Sequence, residues 1–230
     1  MAIFWSRGGV VIAVAAAILA PLTAGIGPAA AAEPAAWKPD RGTTCDLGAW
    51  AGNEPKAGID VRAAPSLQSA VLGQLPTADP PGGPEYDYSV LFRIIEANGD
   101  WLKITGASDD YNADETRQAR PVYAGEGWIP ADAARIGIQS GRGYQRPDAA
   151  SARLVDLGSD WLTEMGRIRR IAACSGEWVL LDFTIDRRRE AGGGLTEMRA
   201  DQQTTGQAWF RGVCSSQETT CDMRSVDEGK

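Results

Sequence analysis

Phe92 to Ile104 reads F-R-I-I-E-A-N-G-D-W-L-K-I, two apolar runs rich in β-branched and aromatic residues on either side of Asn98-Gly99. Asn and Gly both tolerate positive φ, so this pair between such runs predicts a tight antiparallel hairpin. The pattern returns as R-R-I-A-A-C-S-G-E-W-V-L-L, Arg169 to Leu181, which lays Ile171 over Ile94, Gly176 over Gly99 and Trp178 over Trp101, an offset of 77. Two further anchors keep the same order. Pro65-Ser-Leu-Gln-Ser-Ala-Val-Leu72 matches Pro147-Asp-Ala-Ala-Ser-Ala-Arg-Leu154 at an offset of 82, and Gly125-Glu-Gly-Trp-Ile129 matches Gly206-Gln-Ala-Trp-Phe210 at 81. The unequal offsets fall where loops accept insertions. One small β unit is used twice.

The first residues stand apart from that unit. Arg7 gives the short start its positive charge, Val10 to Ala20 is unbroken apolar chain, Pro21 breaks it, and Pro28-Ala-Ala-Ala-Ala precedes Glu33. This is the layout of a secretory signal peptide over residues 1–32. The apolar run is shorter than the roughly 20 residues a membrane-spanning helix needs, so no membrane insertion is expected after cleavage. A retained anchor and a mere tail are the alternatives. With Arg7 set aside, 22 of the 23 basic residues remain against 30 acidic ones. Such a surface repels phosphate backbones, which argues against nucleic acid as a partner.

Cys45, Cys174, Cys214 and Cys221 are all in the exported part. An even count in an oxidising compartment reads as two disulfides. Cys214 with Cys221 closes a short local loop and leaves Cys45 for Cys174. The repeated T-T-C-D at Thr43 to Asp46 and Thr219 to Asp222 keeps a second pairing open, Cys45 with Cys221 and Cys174 with Cys214. The spacing has no C-x-x-C and the chain has no histidine, which disfavours zinc. No metal and no cofactor is expected.

Between the anchors, residues 33–44 are Pro- and Ala-rich and read as a linker, with Trp37 in it either docked on the fold or, as is usual for a lone aromatic in a tail, incidental. Gly58 to Arg62 alternates as a short strand. Pro76 to Tyr88 holds four prolines and reads as a projecting loop. Gly106 to Ala124 is a polar, acidic insertion with Tyr111 and Tyr123, and its Asp109, Asp110, Asp114 and Glu115 read as a solvated loop, with calcium binding as the alternative. Ala150, Leu154, Leu157, Trp161 and Met165 are spaced for one face of a helix, but Gly158-Ser159 and the match to the first unit favour strand and loop. Gly192 to Gly194, after the basic Arg187 to Arg189, reads as a flexible turn.

V-R-A-A-P-S, V-L-G-Q-L, the strand ending N-G-D-W-L-K-I and then G-W-I-P together resemble the bacterial SH3 domain (SH3b) over Gly58 to Ile138. Gly141 to Asp222 is a degenerate second match, with Gly143-Tyr-Gln-Arg-Pro147 where Val61-Arg-Ala-Ala-Pro65 stood. The resemblance implies an all-β fold of two small SH3-like β-barrels in tandem, preceded by the signal peptide. The corresponding division is an SH3b-like domain at 45–139, a degenerate one at 140–223 and a tail at 224–230. It also implies a secreted or periplasmic binding module for cell-envelope peptide (peptidoglycan) or an exported protein partner. Two apolar cores are expected, joined near Ser140 to Arg142, each centred on a Trp pair.

Without histidine, Ser-His-Asp and Cys-His chemistry is absent. A carboxylate pair for glycoside hydrolysis is the remaining enzymatic option, and a structural or inhibitory partner without wall affinity is the other alternative. The expected ligand site lies between the Pro80 to Tyr88 loop and the hairpin turn, with Tyr86, Tyr88, Asn98, Trp101 and Tyr123, because aromatics with a polar tip suit such surfaces.

Overall fold

The computed structural model describes residues 35–52, 57–76, 89–109, 120–215 and 226–227. The segment read as a signal peptide, Tyr86, Tyr88, Tyr111, Asp110, Asp114, Glu115 and Cys221 lie outside these residues. Among the described residues the fold is nearly all β, and the strands of its first half form a sheet curled into a half-barrel.

That half contributes β1 (Thr43–Ala51), β2 (Ile59–Arg62), β3 (Val71–Leu75), β4 (Leu91–Asn98), β5 (Trp101–Asp109), β6 (Arg120–Pro130), β7 (Ala134–Arg135) and β8 (Gly137–Ile138). The second contributes β9 (Arg142–Tyr144), β10 (Arg153–Asp156), α1 (Leu162–Met165), β11 (Gly166–Ser175), β12 (Trp178–Ile185), β13 (Arg187–Arg189), β14 (Leu195–Glu197), β15 (Thr204–Phe210) and β16 (Val213–Cys214). The first sheet runs β3-β2-β6-β5-β4-β1-β7 and the second β10-β9-β15-β12-β11. The second order repeats the first five places of the first, strand for strand. The turn that precedes β3 recurs too: Ser69 Oγ donates to Ala64 O at 2.9 Å and Ser151 Oγ to Arg146 O at 3.3 Å. Each turn also has an amide of residue i+3 bonded to the carbonyl of i, Ser69 to Ser66 and Ser151 to Asp148.

Both hairpins form with a small shift from the sequence reading. Asn98 pairs with Trp101 and Ser175 with Trp178, so the two-residue loops are Gly99-Asp100 and Gly176-Glu177. Gly99 and Gly176 have φ of 61° and 59°, which a Cβ would oppose. Asn98 is therefore the last strand residue and not a turn residue.

Three local readings change. Gly106 to Ala124 is not wholly a loop, because β5 runs on to Asp109 and β6 begins at Arg120. A register shift between Thr105 and Ala107, with Gly106 at φ 62°, absorbs the break in alternation. Arg187 to Arg189 is strand, paired with β14 across the Gly192–Gly194 turn. The helical spacing from Ala150 to Met165 yields β10, a loop and a single turn of helix, α1.

The expectation of two separate cores is corrected. Ile94, Leu102, Ile104, Ile129, Ile171, Val179, Leu181, Phe183 and Phe210 belong to one cluster that also takes in Cys45, Ile138, Leu162 and Cys174. Both sheets turn their core faces to it, and β16 of the second half returns to pair with β8 of the first. Residues 34–230 cluster as one compact unit. The Trp residues do not centre it: Tyr144, Ala173, Trp178, Leu180 and Trp209 form a second cluster. Strand alternation accounts for this, since Trp209 neighbours the core-facing Ala208 and Phe210 and so points the other way.

A disulfide joins Cys45 of β1 to Cys174 of β11 across 129 residues, which rules out the pairing of Cys45 with Cys221. Cys214 is also disulfide-bonded. The stretch read as linker is likewise placed. Trp37 N donates to Gln145 O at 2.7 Å, its carbonyl accepts Trp209 Nε1–H at 2.8 Å, and its ring stacks on Trp209 at 6.0 Å. Residues 35–41 thus strap the outer face of the second sheet, and Trp37 is their anchor.

Candidate functional site

A cleft of about 1210 Å³ opens where β2, the turn after it and the β6–β7 corner face β11, β12 and β15. A second cleft of about 970 Å³ continues it toward the first hairpin. Leu67, Pro130, Asp132 and Arg169 line both, so the two make one trough with these four at its junction.

Each junction residue is set by local structure. Arg62, at the end of β2, donates Nη1 to the carbonyls of Leu67 at 2.7 Å and Ser69 at 3.0 Å, and Nη2 to Asp60 Oδ2 at 2.8 Å. This braces the turn so that Leu67 stands 66% exposed. Pro130 ends β6, lacking the N–H that would continue the ladder. The chain then turns through Asp132 into β7, where Arg135 Nη1 donates to the carbonyls of Asp132 and Ala134. On the opposite wall, β11 slips register between Ile168 and Arg170 against Phe183 and Asp182. Arg169 is the extra residue of that bulge, and bulges re-aim side chains.

The charges of the trough divide into engaged and free. Arg167 pairs with Asp186 at 2.6 Å. Arg170 bonds Asp182 at 2.6 Å and also pairs with Asp100 at the tip of the first hairpin. Asp182 further accepts Gln207 Nε2 at 2.5 Å. Asp60 is held by Arg62 and Gln74. By contrast, neither the Arg169 guanidinium nor the Asp132 carboxylate has an ion-pair or hydrogen-bond partner among the described residues, and both are exposed. Apolar walls continue on either side, with Trp50, Ile136 and Ile168 in the larger cleft and Trp101 in the smaller.

Of the sequence-derived site residues, Asn98, Trp101 and Tyr123 are described, and Asn98 pairs with Trp101 across the first hairpin, but the three do not line one cleft. Trp101 lines the trough, but Asn98 is at a smaller cleft with Lys38 to Arg41. Tyr123 lies in β6, packs against Gly73, Gly125 and Gly127 in place of side chains, and donates its hydroxyl to Glu126 O at 3.0 Å. Tyr86 and Tyr88 lie outside the described residues. Reading by sequence missed Leu67, Asp132 and Arg169; the only trace of the last was the doubled Arg169-Arg170 inside the strand that became β11.

Chemically, the trough offers charge and apolar surface. Three of its four carboxylates, Asp60, Asp100 and Asp182, are neutralised by arginine. No group of three metal-ligating side chains occurs among the described residues, and no cysteine there is free. No protein-family model matches the chain, and no curated protein or solved structure is significantly similar to it.

Proposed function

We propose that the chain is an exported, non-enzymatic binding protein of two SH3b-like units sharing one core, which holds an extended peptide of the cell envelope or of an exported partner. The observation that carries this reading is the twice-used five-strand unit beside a broad open trough. Its lining pairs exposed apolar residues with free charge, as recognition surfaces do. The leader-like start and the cysteine bridges support export. We place the ligand in the trough and not at the Pro80 to Tyr88 loop, because Leu67, Trp101, Pro130 and Arg169 converge there.

Co-sedimentation with purified wall material, run beside a zymogram, tests the proposal. Retention without a lytic band is expected. Lysis would make the chain a carboxylate-based hydrolase, and loss of retention would make it a structural or inhibitory partner of an exported protein. Replacing Tyr86 and Tyr88 with Ala should leave retention unchanged, whereas Leu67→Asp should reduce it.

A further inference from the structure

The junction of the trough presents one free base, one free acid and two apolar residues. Arg169 and Asp132 both line the two clefts, both are exposed, and neither has a partner among the described residues. The neighbouring charges are spent: Arg62 on Asp60, Arg167 on Asp186 and Arg170 on Asp100 and Asp182. Arg135 is occupied with the backbone carbonyls of its own corner. In a chain of net charge −7, an arginine lifted out of the ladder by a bulge and left unpaired is an anion receptor held ready. The matching acid beside it would repel a ligand that carried carboxylates alone. Leu67 and Pro130 between them favour an apolar group.

We infer that this junction recognises a zwitterionic amino-acid end group: a carboxylate on Arg169, an ammonium on Asp132 and an apolar portion against Leu67 and Pro130. The inference rests on the reading of the chain as a peptide-binding protein and names the part of the peptide that is read. A free amino acid and the C-terminal residue of a peptide that bears a side-chain amine share this chemistry. The trough favours the peptide end, since its apolar walls run on past the junction to Ile136 and Ile168 on one side and Trp101 on the other. A lone amino acid would fill a small part of about 1210 Å³. Discrimination comes from the two charges together, because each leaves its partner unmatched when the ligand lacks one.

The test titrates the full exported chain with four probes: N-acetyl-leucyl-lysine, its C-terminal amide, N-acetyl-leucyl-norleucine and free leucine. Ligand-observed NMR reads the affinities. N-acetyl-leucyl-lysine is expected to bind tightest, with a loss of about fivefold on amidation and about fivefold on removal of the amine. Arg169→Gln should abolish the amide effect alone and Asp132→Asn the amine effect alone, while Arg169→Lys and Asp132→Glu keep them. Neither residue has a partner to lose among the described residues, so melting temperatures should match the parent chain, and the conservative variants separate lost charge from lost fold. Free leucine binding as well as the acetylated dipeptide would overturn the assignment to a peptide end. Equal binding of the three dipeptide probes, or charge effects that persist in both neutralising variants, would overturn the inference. If wall retention survives in the Arg169→Gln, Asp132→Asn double variant while the probes show no preference, the inference fails and the binding function stands. If wall material is not retained but the probes discriminate, the reverse holds.

Discussion

The two halves share a strand order and a turn, yet they treat the same outer face in opposite ways. In the first half the face carries Arg62, Trp101, Lys103 and Trp128; the equivalent positions in the second are Tyr144, Trp178, Leu180 and Trp209. The first face is the more polar of the two, although Trp128 on it is buried. Lys103 bonds Glu126 at 2.5 Å, and that hydrogen bond holds the ammonium pKa above its ordinary value. The second face is apolar, with Tyr144 edge-on to Trp178 at 5.4 Å and Arg211 over the Trp178 ring at 5.7 Å, and it is closed by the strap at Trp37. Core faces, by contrast, stay apolar in both halves. A repeated β unit keeps the side it shares and is free to change the side it does not.

The largest effect expected from this contrast is at Trp209, which is fully buried. Trp209→Ala should cost about 4 kcal/mol in denaturant unfolding, well above Trp101→Ala at the half-exposed counterpart of Trp178. Similar losses for the two would erase the distinction between a closed and an open face. Next comes the bridge between the halves: replacing Cys45 and Cys174 by Ser should cost about 3 kcal/mol, because a loop of 129 residues is released in the unfolded chain. One unfolding transition should persist, and two separated transitions would mean that the halves have independent cores. Trp37→Ala should cost about 1.5 kcal/mol, from a lost ring stack and the uncovered face. Hydrogen exchange should then rise in β9 and β15 before it rises in β2 and β6.

The smallest effect separates the edge strands. Asp156 accepts Gly158 N–H at 3.0 Å and the Arg153 guanidinium at 2.6 Å, which together hold its carboxyl below the usual range. Its counterpart is Gln74, which does not titrate. A depressed carboxyl stabilises the fold above its unfolded pKa and loses that contribution as the pH falls through the folded value. Asp156→Asn should therefore cost about 0.3 kcal/mol at neutral pH, since the pair is exposed, and nothing in strong acid. Gln74→Glu should not reproduce that pH dependence.

Legibility in the sequence follows the range of the interaction. β1 could have been found, because Cys45, Leu47, Ala49 and Ala51 alternate, but its small, polar-flanked residues hid the period at the start of the first unit. Arg169 was visible only as half of a basic pair. That it projects into a trough depends on a bulge and on a facing turn braced by Arg62, about a hundred residues upstream.

What the sequence determined by itself is what short-range sterics and periodicity decide: two hairpins with glycine at the positive-φ loop position, three anchors repeated in the same order, and the reading of Cys45 with Cys174 as one of two pairings. The tertiary structure decided the rest. Whether two similar sheets enclose two cores or share one depends on which residues meet across them, and Ile138, Leu162 and the returning β16 bring them together. Whether Trp37 is incidental depends on an apolar face that alternation creates but cannot place. The trough follows from the same cause, since a groove between two surfaces exists only once both have been positioned.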